Sequence, residues 1–134
     1  YGILACIWIS IHFQNTAHAF IVGILSAICL VISQTVKSFL REARPFMIND
    51  QIDVKDCKHA EFGNPSAHTF LSSAMFITTA CLFYRELTVR FKIKQSILHI
   101  LVILNAIFVL IAIIGFSRVF KGVHSYNQIA SGFV

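Results

Sequence analysis

Three stretches of this chain hold no charged side chain over a length that can cross a lipid bilayer. They are residues 17–36, 67–84 and 96–116. At about 1.5 Å per helical residue, such runs approach or reach the roughly 30 Å hydrocarbon core of a membrane. Within lipid a segment must satisfy its own backbone N–H and C=O groups, which favours helices. The sequence therefore predicts an all-α, polytopic transmembrane helical bundle. Residues 1–13 read as the end of an earlier span and 125–134 as the start of a later one. The chain begins at Tyr1 and ends at Val134, both inside apolar runs. We therefore expect one membrane domain over 1–134, truncated at both ends, with about three full spans and two partial ones.

Composition agrees with that expectation. The 134 residues are 57% hydrophobic and 13% charged, with a mean hydropathy of +0.75. A disordered tail needs low hydrophobicity, and a soluble domain carries about a quarter charged residues. Four cysteines form no C-x-x-C pair, so neither a zinc site nor a thioredoxin-like motif is expected. Cys6, Cys29 and Cys81 lie in apolar runs, and Cys57 lies in a polar loop.

The charges gather in the connections. Successive spans alternate sides, so the loops 37–66 and 117–124 share one face and the loop 85–95 lies on the other. That last loop carries Arg85, Arg90, Lys92 and Lys94 against Glu86. A compact basic loop is expected on the cytoplasmic side, which puts the other two loops on the lumenal or extracellular side. The basic loop has no interleaved aromatics, so nucleic-acid binding is not expected.

Three clusters share that second face. In the first, Lys37, Arg41 and Arg44 are spaced i, i+4, i+7, one face of a helix that Pro45 would end. Like charges stacked this way repel unless an anion sits among them. In the second, Gly63-Asn64-Pro65-Ser66-Ala67-His68, Asn64 reads as a helix cap and Pro65 as the first helical residue. The N–H groups of Ser66, Ala67 and His68 would then face an anion. In the third, Ser117 through Gln128, Arg118 closes a span, Gly122 allows a sharp turn, and His124 and Gln128 lie at i, i+4. Gln128 is expected to hold one ring nitrogen of His124 and leave the other free to react. Cations, a helix start and two histidines on one face are what phosphoryl transfer needs.

The spacings K-x6-R-P (Lys37 to Pro45), P-S-x-H (Pro65 to His68) and S-R-x5-H (Ser117 to His124) resemble the type-2 phosphatidic acid phosphatase superfamily, whose core is shared with vanadium haloperoxidases. The resemblance implies that His124 is a nucleophile forming a phosphohistidine and His68 the general acid. It assigns Lys37, Arg44, Ser66 and Arg118 to phosphate binding, with Ala67 supplying a backbone N–H. Gln128 and Arg41 are supporting residues, Arg41 by helix geometry alone. No metal and no other cofactor is implied. The expected partner is a phosphorylated lipid or another organic phosphate: phosphatidate, a sphingoid-base phosphate or a polyprenyl diphosphate. The implied setting is a multi-pass protein of the endoplasmic reticulum or plasma membrane, if eukaryotic.

Two positions depart from the pattern. Ala67 stands where the superfamily commonly has Gly, and Gln128 where many members have Asp. Members resembling glucose-6-phosphatase and dolichyl diphosphatase also carry Gln there, which tilts the expectation away from plain phosphatidate. The rival readings are a catalytically silent member that binds phospholipid or a partner protein, a sugar phosphatase and a haloperoxidase. A transporter is disfavoured by spans that hold few polar residues. His12, His18, His59 and His99 are read as interfacial or packing residues.

Overall fold

The computed structural model describes residues 16–52, 61–92, 94 and 96–133. The expected partial span 1–13 lies outside the described residues, as do Cys57 and His59. Five helices follow in order: α1 Thr16–Leu40, α2 Pro45–Ile48, α3 Ala67–Phe91, α4 Ile97–Phe120 and α5 Tyr126–Ala130. No strand occurs among the described residues. α1, α3 and α4 each belong to a stretch long and apolar enough to cross a membrane, so the protein is an integral membrane protein of helical-bundle class.

All three long helices outrun the uncharged stretches. α1 continues past residue 36 to Leu40, α3 past 84 to Phe91, and α4 past 116 to Phe120. Hydropathy locates the bilayer and not the helix terminus, because Lys and Arg are good helix formers. The last turns of α3 carry an Arg90–Glu86 ion pair at i, i+4.

The helices are apolar outside and more polar within. Phe20, Val31, Leu98, Phe108 and Ile113 are exposed, as lipid-facing residues should be. The buried stripe of α1 is Val22, Ser26, Cys29, Ser33 and Lys37. Those of α3 and α4 include Thr69, Ser73 and Met75, and Ile107, Ile111 and Gly115. Small residues let helices approach closely in lipid, where no hydrophobic drive separates helix from solvent. α1 packs on α3, and α3 on α4. Two buried hydroxyls within the spans bond back to their own helix: Ser26 to the Val22 carbonyl at 2.7 Å, and Ser73 to that of Thr69 at 2.9 Å.

The connections differ from expectation in two places. α1 stops at Leu40 because Arg41 turns left-handed, with φ of 47°. Arg44 is therefore extended, not helical, and Pro45 opens α2 instead of closing α1. The cap of α3 is Ser66, not Asn64, and Pro65 lies ahead of the helix. The Asn64 amide is taken by Glu42, to which it donates at 2.6 Å, and by the Ser131 hydroxyl. Gly122 makes the expected turn at φ of 67°. Residues 125–134, expected to open a span, carry the short α5, followed by a turn at Ser131–Gly132.

Candidate active site

The carboxyl end of α1, the amino end of α3 and the carboxyl end of α4 meet at one end of the bundle. Their meeting is fixed by bonds between segments far apart in sequence. The Ser66 N–H donates to the Gln128 carbonyl at 2.9 Å, and the Gly63 N–H to the Glu42 carbonyl at 2.8 Å. The parity argument for three clusters on one face thus holds in the structure.

Two cations come together first. Lys37 and Arg44 are buried, at 5% and 8% exposure. The Lys37 ammonium lies 3.7 Å and an Arg44 guanidinium nitrogen 4.0 Å from the same oxygen of Glu61. Arg44 Nε also donates to the Glu61 carbonyl at 2.8 Å. Two buried like charges need an anion between them, and here the half-exposed Glu61 carboxylate supplies it. Its oxygen marks a point that both cations reach.

The start of α3 is beside them. The Ser66 carbonyl accepts from Phe70 N–H at 2.9 Å, so the N–H groups of Ala67, His68 and Thr69 precede the first intrahelical bond. Ser66 itself is fully buried, and its hydroxyl accepts from that of Thr69 at 3.2 Å. Its N–H is already spent on Gln128. The expected trio of anion-facing N–H groups at 66–68 is thus shifted by one residue.

His124 is almost completely buried. Its Nδ1 is 3.2 Å from Gln128 Oε1, which also accepts the Ser125 N–H at 3.2 Å as part of the capping box of α5. The Gln128 amide nitrogen donates to the Ala43 carbonyl at 2.8 Å and to Glu42 Oε1 at 3.0 Å. A backbone carbonyl can only accept, and a backbone N–H can only donate. These two neighbours fix the amide with its oxygen toward His124. Oε1 has no proton to give, so Nδ1 carries the hydrogen and Nε2 keeps its lone pair. All four hydrogen bonds that a glutamine amide can form are made.

The charges around the ring have a measurable consequence. Burial, together with Arg44, Arg118 and Lys37, pushes the His124 pKa down to about 4, against a smaller opposing effect of the Gln128 bond. At neutral pH the ring is therefore neutral and nucleophilic. The same three cations act electrostatically on His68, which places it in the same cluster. His68 is exposed.

The structure thus gathers Lys37, Arg44, Ser66, Ala67, His68, Arg118, His124 and Gln128. It does not gather Arg41, which is exposed and whose Nε bonds the Ser38 carbonyl at 3.1 Å. The left-handed turn at Arg41 takes it off the face that carries Lys37. Sequence reasoning passed over Glu42, Glu61 and Gly63. A Cβ on Gly63 would lie 2.5 Å from Gln128 Oε1, so only glycine lets that amide sit where it does. The signal for Gly63 was its place beside Asn64-Pro65-Ser66; Glu42 gave none, as its partner is 86 positions away.

The fold and the cluster define a membrane-embedded helical domain with a group of buried cations and histidines at one end of the bundle. The chain belongs to the PAP2 superfamily, whose family model matches residues 16–134. Membership implies phosphatase-type activity on phosphate esters. No curated protein and no solved structure matches the chain.

Proposed function

We propose that this protein is an integral membrane phosphatase that hydrolyses a lipid phosphate monoester or diphosphate through a phosphohistidine, without a metal. Candidate substrates are phosphatidate, a sphingoid-base phosphate and a polyprenyl diphosphate. The observation that carries the reading is the His124 tautomer: a buried neutral imidazole with Nδ1 held by Gln128 and Nε2 left with its lone pair.

The reaction has two steps. The Nε2 lone pair attacks phosphorus and the bond to the leaving oxygen breaks, with His68 giving that oxygen its proton. Lys37, Arg44, Arg118 and the N–H groups at the start of α3 take the phosphoryl oxygens, whose charge they stabilise in the transition state. Neutral His68 then removes a proton from water, which attacks the phosphohistidine. The P–N bond breaks, phosphate leaves, and His124 is restored with its hydrogen still on Nδ1. Nothing is oxidised or reduced.

One feature favours a lipid: the site lies at the ends of spanning helices, the depth at which a bilayer presents headgroups. The basic loop after α3 lies at the other end, which supports a lumenal or extracellular site; the proposed setting is the endoplasmic reticulum or plasma membrane, if the protein is eukaryotic.

The test is phosphate release by the full-length protein in lipid nanodiscs containing EDTA, with each candidate lipid in turn. Turnover inhibited by micromolar vanadate is expected. Activity that needs added metal would refute the metal-free mechanism.

A further inference from the structure

Many superfamily members place a carboxylate four residues after the nucleophile; this chain has the uncharged Gln128 there. The bonds around Gln128 show where a charge enters. Of the four groups bonded to its amide, Glu42 alone carries a formal charge. Both carboxylate oxygens of Glu42 are occupied by N–H donors: Oε1 by Gln128 at 3.0 Å and Oε2 by Asn64 at 2.6 Å. The Glu42 carbonyl is held in turn by the Gly63 N–H. The carboxylate is therefore fixed in place, with one amide between it and the His124 ring.

We infer that Glu42 is a positioning residue for His124, acting through Gln128 as the displaced counterpart of a direct carboxylate. The inference rests on the phosphohistidine reading above. When Nε2 bonds to phosphorus, the ring keeps its Nδ1 hydrogen and becomes cationic. A negative charge on the far side of the amide polarises it, Oε1 gains electron density, and the Nδ1–H bond strengthens as the ring charge grows. Three cations oppose a positive charge on this ring, and the polarised amide works against that opposition through its bond to Nδ1. Glu42 touches no reacting atom; among the described residues its hydrogen bond to Gln128 links it to the ring.

The test uses the full-length protein with a short-chain phosphatidate or polyprenyl diphosphate, whichever turns over, and orthovanadate as the anion probe. E42Q keeps the size of the side chain and removes its charge. We expect kcat to fall on the order of 10- to 100-fold, the range typical for partners that orient a working histidine from behind. KM and the vanadate inhibition constant stay within about two-fold of wild type, because Lys37 and Arg44 are untouched. In a double-mutant cycle, E42Q adds no more than about three-fold to the loss caused by Q128A.

Three outcomes overturn the inference. Wild-type kcat in E42Q is one. Full multiplicativity with Q128A is another. Loss of vanadate inhibition in parallel with kcat is the third, since Glu42 would then only hold the fold together. The underlying reading fails separately: an H124A protein turning over at wild-type rate removes the nucleophile, and Glu42's role with it, whatever E42Q shows.

Discussion

Replacing Gly63 with alanine tests whether the site depends on the placement of one amide. The added Cβ would lie 2.5 Å from Gln128 Oε1 and 2.6 Å from both Cδ and Nε2. Reaching even 3.0 Å requires the amide to retreat by about half an ångström. The end of a flexible side chain ordinarily swings away at little cost. Gln128 has no such freedom: it is 1% exposed and bonds to His124, Ser125, Glu42 and Ala43. Those bonds are 3.2, 3.2, 3.0 and 2.8 Å long, and a shift of that size cannot keep all of them. Overpacking costs about 1–3 kcal/mol, and each weakened neutral hydrogen bond about 1 kcal/mol. We expect a loss of stability of about 2–4 kcal/mol and, from the misplaced ring, a fall in kcat of roughly 100-fold. Thermal unfolding in detergent and steady-state kinetics on the full-length protein read the two effects. A G63A protein with wild-type kcat would refute the argument, because the Gln128 position would then be irrelevant to His124.

Other outcomes follow from the same geometry. Glu61→Gln removes the carboxylate that shares Lys37 and Arg44 with incoming phosphate; because Glu61 is half exposed, KM should fall only about two- to five-fold, and a higher KM would contradict the competition. Arg41→Gly relieves a left-handed residue and removes no site contact, so activity should be unchanged and stability higher by up to about 1 kcal/mol; a large loss of activity would return Arg41 to the site. For His124, the folded pKa of about 4 lies below the ordinary value of 6.5. The unfolded chain then binds more protons between these values, so stability is full above pH 6.5 and declines as pH falls toward 4, by about 3 kcal/mol. Unfolding measured across that window should show the decline in the wild type and a shallower one in His124→Asn; equal slopes would contradict a buried neutral ring.

The spans and the site clusters were legible because each has a local signature. Uncharged runs reveal the bilayer, and the alternation of spans alone puts Lys37, His68 and His124 on one face. Helix ends were less legible. Arg41 adopts a conformation that sequence patterns assign to glycine, and it ended α1 four residues before Pro45. Asn64, a strong cap by type, was drawn off by Glu42 and Ser131, so the cap passed to Ser66. Gln128 is expected to hold a ring nitrogen of His124, and its Oε1 lies 3.2 Å from Nδ1. What aims Gln128 could not be read, because Glu42 and Ala43 reach it from the far end of the chain. Contacts of that kind depend on how three helices pack, and no spacing rule encodes them.

The central claim is that His124 takes the phosphoryl group. Its most direct test is a rapid quench of the full-length protein with substrate carrying a radiolabelled transferred phosphate. We expect label bound to protein that survives alkali and is released by acid, as a phosphohistidine is, and none in His124→Ala. Turnover by His124→Ala at the wild-type rate, or wild-type turnover with label that resists acid, would contradict the claim.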